Sequence, residues 1–434
     1  MLSRRGFLHG ALGAAAMPAA LPGFRADAFR ALARAAERGS LPDGGGAPDD
    51  EDYWATVRRA FDLDDTLVNF NNGGVCPTPV PVLDAMIRDL RWYSTLPVEH
   101  MWRIVEPRLP AVRRELAREF GCEHGEIAIT RNASEAMETL IMGLDLRRGD
   151  EVVVTTQNYP RMLTAWDQRA RRDGIVVRRV TFPVPPKDPR IIADRVLAAV
   201  TPATRAIELP HITNLTGQVT PIAEIVARAR ARGIPVFVDG AHAFAHFPFT
   251  RDALGCDYYG TSLHKWLLAP IGTGFLYVRR ERIPGIWPLM AAPRAMDGDI
   301  AKFEEIGTHP QANFNAIAVA LSFHRGIGAE RKAARLRWLR DRWARQLLAA
   351  SDRVRILTPL DDPAQACGMG FVSIDGMDHE KLGAWLRAKW QVVTTPIVHE
   401  EFSGVRLTPN VYTMARECDL LVEAVTQAIR KGIA

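Results

Sequence analysis

The sequence predicts an α/β protein, a large domain with a mainly parallel sheet followed by a small C-terminal α+β domain. Three observations predict it. From about Gly125 to Arg279, short β-branched runs alternate with helix-like segments, the pattern of a parallel sheet covered on both faces. Beyond Pro310, two long helical stretches break that alternation. A second set of short strands around one helix then ends the chain. With 434 residues, 47% of them hydrophobic, the chain can bury cores for two or three domains.

The elements follow in order. Ser3-Arg4-Arg5-Gly6-Phe7-Leu8 precedes a modestly apolar run from Gly10 to Ala20, the charged-then-apolar layout of an export signal. The paired arginines before Phe-Leu resemble the twin-arginine type, so residues 1–28 are assigned to a signal and the protein is expected in the periplasm. The run is too short for a stable membrane span. Residues 29–52, which include the Gly/Pro stretch Leu41 to Pro48, read as a linker. The large domain is expected over 53–310, with residues around 53–75 joining the small domain or the site. Its strands are Glu151 to Thr156, Ile175 to Val177, Arg205 to Leu209 and Ile234 to Asp239. Between the last two, Ile222 to Arg232 has helical periodicity and stops at Gly233, a C-cap residue. Residues 311–434 supply the long helices Asn313 to Arg325 and Glu330 to Ala350, then the small domain. That domain is read as a strand Gly370 to Ile374, a helix His379 to Lys389, a strand Gln391 to Thr394, a strand near Val405 to Thr408 and a helix Met414 to Lys431.

Charge and cysteine usage exclude several classes. The net charge is +5, but Arg4, Arg5 and Arg25 against Asp27 account for +2 of it, leaving +3 for the body. The remaining arginines are scattered in helical stretches such as Arg161 to Arg172 and Arg331 to Arg345 and form no compact basic run interleaved with aromatics, which argues against a nucleic-acid partner. The five cysteines are far apart and form no CxxC pair, so neither a disulfide framework nor a metal site is expected.

Three motifs carry chemistry. In Thr130-Arg131-Asn132-Ala133-Ser134-Glu135, a strand end turns into a helix whose N-terminal N–H groups favour a phosphate dianion; the same residues also fit a plain N-cap. In Val236-Phe237-Val238-Asp239-Gly240-Ala241-His242, an acid ends a buried apolar strand, where a carboxylate is costly unless it caps the next segment or meets a cation. In Thr261-Ser262-Leu263-His264-Lys265-Trp266-Leu267, followed by Gly272-Thr273-Gly274, a lysine stands between an apolar strand and a Gly-rich turn. Desolvation there lowers its pKa, and a neutral amine can form a Schiff base. Asp239 followed 26 positions later by Lys265 is the specific signal, since a carboxylate opposite a pyridine nitrogen keeps that nitrogen charged.

On these motifs the chain resembles the class V aminotransferase-like family of fold-type I enzymes that depend on pyridoxal 5′-phosphate (PLP), over roughly residues 65 to 430. Within the family it is similar to the isopenicillin N epimerase-like proteins. The resemblance implies a fold-type I PLP-dependent transferase fold with Lys265 as the Schiff-base lysine and Asp239 against the pyridinium nitrogen. It implies that Ala133, Ser134, Ser262 and His264 bind the phosphate, and that His242 and Asn214 lie near the ring oxygen. Tyr159 takes the place of an aromatic that stacks on the ring. Arg406 matches the arginine that grips the substrate carboxylate, a task suited to its fork of donors; read alone, it also fits a surface strand. Asn71 and Asn72 are expected to line the substrate side, Asn72 as a substrate contact, or to form a polar turn. Thr308, in Ile306-Gly307-Thr308, matches a turn that reaches the neighbouring subunit's phosphate, which implies a homodimer.

The reaction expected is epimerisation of an amino acid at Cα, with an aminotransferase or a carbon–sulfur or β-elimination lyase as alternatives. Epimerisation needs a proton donor on each face; Lys265 serves one, and Tyr159, His399 and His100 are candidates for the other. A cysteine desulfurase needs a mobile thiol in the loop Pro396 to Gly404, which contains none, and Cys367 lies ahead of the preceding strand. A non-catalytic scaffold has no physical need for Lys265, Asp239 and Arg406 together.

Overall fold

The computed structural model describes residues 46–433. The expected signal and residues 29–45 of the expected linker lie outside the described residues. The first helix, α1 (Glu51–Arg58), starts inside the segment read as linker, because the Asp50 carboxylate accepts the Tyr53 N–H and caps it. Trp54 and Val57 bury its inner face. Buried Arg335 then stitches this segment to the body, donating to Glu51, to the Pro48 carbonyl and to the Thr413 carbonyl.

The chain continues through strand β1 (Val68–Asn69) and helices α2 (Val80–Tyr93) and α3 (Leu109–Phe120) into the large sheet. Its strands are β2 (Ile127–Thr130), β3 (Glu151–Thr155), β4 (Val176–Val180), β5 (Thr204–Pro210), β6 (Val236–Asp239), β7 (Tyr258–Ser262) and β8 (Gly274–Val278). They lie in the order β2-β8-β7-β6-β5-β3-β4, and every strand but β8 points the same way. Strand β8 reverses because the loop after β7, which carries Lys265, brings the chain straight back alongside it. Alternate residues feed two apolar layers: Val153, Ile207, Val238 and Tyr259 on one face, Val152, Ala206, Phe237 and Tyr258 on the other. This period of two, apolar on both sides, is what a sheet covered by helices on both faces requires. Helices α4 (Ala133–Gly143) and α5 (Pro160–Asp173) pack on the second face; α6 (Arg190–Ala198) and α7 (Ile222–Arg230) pack on the first.

Helices α8 (Gln311–Ile327) and α9 (Ala329–Ala350) lead out of the large domain, α8 packing on α2 and α3. The small domain holds β9 (Val354–Ile356), β10 (Gly370–Ile374), α10 (His379–Trp390), β11 (Val392–Val393), β12 (Thr395–Val398), β13 (Ser403–Leu407) and α11 (Ala415–Lys431). Its sheet is antiparallel in the order β12-β13-β10-β9. The stretch read as one strand, Gln391 to Thr394, is divided. Gln391 takes a left-handed conformation (φ 56°) at the helix end, β11 pairs with β1, and the hairpin strand starts only at Thr395. No helix among the described residues is long and apolar enough to cross a membrane.

Candidate active site

A cavity of about 380 Å³ opens beyond the carboxyl ends of β5, β6 and β7, the place where open α/β sheets bind ligands. Asp239 and Lys265, which the sequence reading needs on one side of the sheet, both line it. So do Ala133, Ser134, Tyr159, Asn214, His242, Ser262 and His264. Nine of the twelve expected site residues therefore converge.

The Lys265 amine donates to Nε2 of His242 at 3.1 Å. Burial pushes the amine down to about 8, against an opposing pull from the Asp239 carboxylate. Part of the population is therefore neutral near pH 8, as a nucleophilic amine requires. Burial and the Lys265 charge hold His242 well below the usual imidazole range, so this ring is neutral and its Nδ1 has no protein partner. Asp239 ends β6 with its carboxylate accepting the Ala241 N–H at 2.9 Å. Burial raises its pKa, while that N–H and Lys265 act in the opposite sense. A cationic ring nitrogen would complete what Lys265 only begins.

The anion cradle is built from two elements. Asn132 caps α4 by accepting the Glu135 N–H, and the Ala133 N–H donates to Oγ of Ser262 at 2.9 Å. The Ser262 hydroxyl keeps its own proton for a ligand, beside Ser134 at the helix N-terminus. His264 donates from Nδ1 to the Thr273 carbonyl at 3.2 Å, and burial pushes its pKa down to about 4, so the ring is neutral and Nε2 faces a ligand only as an acceptor. Gly274 explains the Gly-x-Gly signature: a Cβ there would stand 2.5 Å from the Thr261 carbonyl and 2.8 Å from the Asn132 backbone. Only glycine lets β8 pass beneath the cradle.

Arg406 does not itself line the cavity; it adjoins it through Asn214, which does. It donates to the Asn214 carbonyl at 2.8 Å and to Oδ1 of Asn71 at 2.9 Å, and its Nε has no protein partner. Burial lowers its pKa to about 10, so the guanidinium remains charged at neutral pH. Asn71, not Asn72, is the neighbour that orients it. Asn72 is 0% exposed and its amide is consumed internally: it donates to the Asn69 and Thr408 carbonyls and accepts from the Tyr412 hydroxyl. The expected substrate contact is thus corrected to a structural residue, because Asn72 starts the turn after the Asn71–Thr408 bridge and its amide is held inward by Thr408 and Tyr412. Thr308 sits on an exposed bend and does not line the cavity of its own chain.

Of the three candidates for a second proton donor, Tyr159 lines the cavity from the N-cap of α5. His399 instead donates to the Thr156 carbonyl at 3.1 Å, and His100 stacks on Trp92 with ring centroids 4.4 Å apart. The β12–β13 turn bears His399 and Glu401, whose carboxylate accepts from Thr156 and Gln157 just before Tyr159. Sequence reasoning missed His246 and Lys332. The first stacks on Trp266 at 3.7 Å and donates to the His242 carbonyl; the second donates to the Trp266 carbonyl. Both brace the Lys265 loop. The spacing of His242 and His246 is a signal visible in sequence, whereas Lys332 lies in an ordinary-looking helix.

The arrangement fits PLP. One end offers a helix N-terminus with two serine hydroxyls for a phosphate, the floor offers one carboxylate, and a depressed-pKa amine faces both. His242 Nδ1 and Asn214 Oδ1, buried without protein partners, are available to a polar ring substituent.

Comparison with known proteins agrees. The family described as Aminotransferase class-V matches residues 68–395. The isopenicillin N epimerase of Streptomyces clavuligerus is 31% identical over 393 residues, covering 86% of this chain and 97% of the epimerase. Among solved structures, the cysteine desulfurase CsdA from Escherichia coli superposes with a TM-score of 0.73 at 22% identity, covering 87% of this chain and 98% of that one. A variant of C-DES with glycine covalently linked to the PLP cofactor gives a TM-score of 0.72 at 22% identity, covering 83% and 96%. At such identities the two structures speak for the fold.

Proposed function

This chain belongs to the class-V aminotransferase family, a PLP-dependent enzyme family, and within it we propose that it is an amino-acid epimerase acting at Cα. The observation that carries the reading is that two proton-carrying side chains reach the cavity from different elements, Lys265 from the β7–β8 loop and Tyr159 from the start of α5. Similarity to an epimerase over most of both chains supports it. When bound, PLP supplies an aldehyde for an amine and a ring that accepts the electron pair released at Cα.

The protein's residues do the rest. Ser134, Ser262 and the start of α4 would hold the phosphate, with the neutral His264 ring beside it. Asp239 would keep a proton on the ring nitrogen, and His242 and Asn214 would hold the ring oxygen. Arg406, oriented by Asn71, would bind the α-carboxylate and fix which Cα bond faces Lys265. Nζ of Lys265 would then take and return the Cα proton on one face, with the Tyr159 hydroxyl serving the other. The thiol needed for sulfur transfer is missing from 396–404, which disfavours a desulfurase.

Incubation with a panel of L-amino acids in deuterated water tests the reading. Deuterium at Cα with inverted configuration is the expected result. A keto acid with an aminated cofactor instead means an aminotransferase, and ammonia with a fragment means a lyase; either overturns the epimerase reading.

Two further parts belong to this proposal. The functional unit is a homodimer in which Thr308 serves the other subunit's phosphate. Exposed Leu96, Val98, Trp102, Ile104 and Ile271, all on or near elements that pack against α8, support such an interface. Light scattering at micromolar concentration, and weaker cofactor retention in Thr308→Ala, test it. The protein is exported through its twin-arginine segment; replacing Arg4 and Arg5 by lysine should retain it in the cytoplasm.

A further inference from the structure

Beneath the cavity floor lies a carboxyl group that the reading above does not use. Glu208 is 0% exposed, on β5 between Ala206 and Pro210. Its strand neighbours set its position. Pro210 pairs with Asp239 and Glu208 with Phe237, so Glu208 lies one pleat below Asp239 on the same face of the sheet.

Asn158 meets it from the turn after β3. The Asn158 amide donates to Oε2 of Glu208 at 2.5 Å and to the Glu208 carbonyl at 2.9 Å. Its own Oδ1 accepts from the Thr155 N–H and hydroxyl. Oε1 of Glu208 completes no hydrogen bond, although the Trp166 indole N–H, itself unpaired, faces the carboxyl group. The other groups facing it are Trp166 of α5, Phe237 and the Asp239 carboxylate. Among the described residues, no lysine, arginine or histidine forms an ion pair with it. An ionised carboxylate here would be a buried charge with half of its acceptors empty and a second carboxylate alongside, which is strongly unfavourable.

We propose that Glu208 is held as a neutral carboxylic acid that positions the Asn158–Tyr159 turn and leaves Asp239 as the single negative charge under the ring site. Its pKa agrees: burial, then Asp239, push it up to about 8, against the pull of Asn158 and Trp166. Asn158 joins β5 to β3 and immediately precedes Tyr159, so the acid fixes Tyr159 through one amide. The consequence for Asp239 rests on the PLP reading; the protonation and the positioning do not.

Infrared spectroscopy and amide hydrogen exchange test the proposal, on the protein as isolated and again after its cofactor is removed. At pH 7 the wild type should show a buried carboxyl C=O band that shifts in deuterated water and is absent from Glu208→Gln. Glu208→Gln keeps a neutral acceptor for Asn158, so exchange at residues 158–163 should stay within about twofold of wild type. Glu208→Leu removes the acceptor and should speed that exchange about tenfold. In the loaded protein, Glu208→Gln should leave the visible absorbance unchanged from pH 6 to 7.5. Absence of the band, equal loosening in both variants, or an altered absorbance profile in Glu208→Gln would each overturn the proposal. Since the first two readouts need no cofactor, their failure is distinct from failure of the PLP reading.

Discussion

Lys265 should weaken the fold that holds it, and replacing it by methionine measures how much. The amine is pushed down from 10.5 to about 8, so an unfolded chain binds more protons than the folded one between those limits. Stability therefore rises with pH across that window, and the full penalty is present below about 8. The gap corresponds to about 3 kcal/mol as an upper bound. Methionine keeps the length and apolar stem without the charge. It forfeits the hydrogen bond to His242, worth about 1 kcal/mol. Cofactor-free Lys265→Met should accordingly be about 2 kcal/mol more stable than the cofactor-free wild type at pH 7. The difference should shrink and then reverse as the pH approaches 10.5. Urea denaturation at pH 7, 8.5 and 10 reads this directly, and the variant should be catalytically dead. A variant less stable at pH 7, or a difference that ignores pH, would refute the buried, charge-disfavouring environment on which the nucleophile argument depends.

Further outcomes follow from the same geometry. Arg406→Lys replaces a fork by a point charge, so KM should rise about tenfold to hundredfold with kcat little changed in steady-state assays. An equal fall in kcat would mean that the arginine acts on the reacting atoms instead. Gly274→Ala forces the Thr261 and Asn132 backbones apart, which should cost about 1–3 kcal/mol in thermal or urea unfolding and weaken PLP retention by fluorescence titration. Tyr159→Phe keeps the ring and removes the hydroxyl; cofactor affinity should hold while deuterium incorporation with inversion falls about a hundredfold. Unchanged inversion would remove Tyr159 as the second proton donor. Iodoacetamide should leave activity intact, since burial raises the pKa of Cys76, Cys256 and Cys367 into the range of about 11 to 12 and that of Cys122 and Cys418 further still.

Much of this was legible in the sequence, for physical reasons. Asp239 and Lys265 each sit beside apolar residues where a solvated charge would not be tolerated, so their oddity marks them. The strands announce themselves because both faces of the sheet are apolar. What stayed hidden depends on direction or on distant partners. Nothing in Asn71-Asn72 tells which side chain turns toward Arg406; the strand pairing decides, and it sends Asn72 to Thr408 and Tyr412. Strand β9 has three residues, too few to show a period. Glu208 looked like the polar position of an ordinary strand, and only the register with β6 puts it below Asp239.

The choice among reactions turns on the β12–β13 turn. The expectation for a cysteine desulfurase is a mobile thiol in this turn. Here it carries Glu401 and His399, and both are bonded to the turn before Tyr159. The bonds tie the hairpin that bears Arg406 to the element that bears Tyr159, so the proposed carboxylate grip and the proposed second proton donor are fixed against each other. A fixed grip favours chemistry in which the substrate stays still and only a proton moves. It offers nothing to a mechanism that must pass a sulfur atom to the protein, because no cysteine lines the cavity, and Cys76, which lies behind the Lys265 loop, is buried with its thiol pKa pushed up to about 12. With PLP bound, the proposed epimerase asks these side chains only to hold the substrate and to move a proton at Cα.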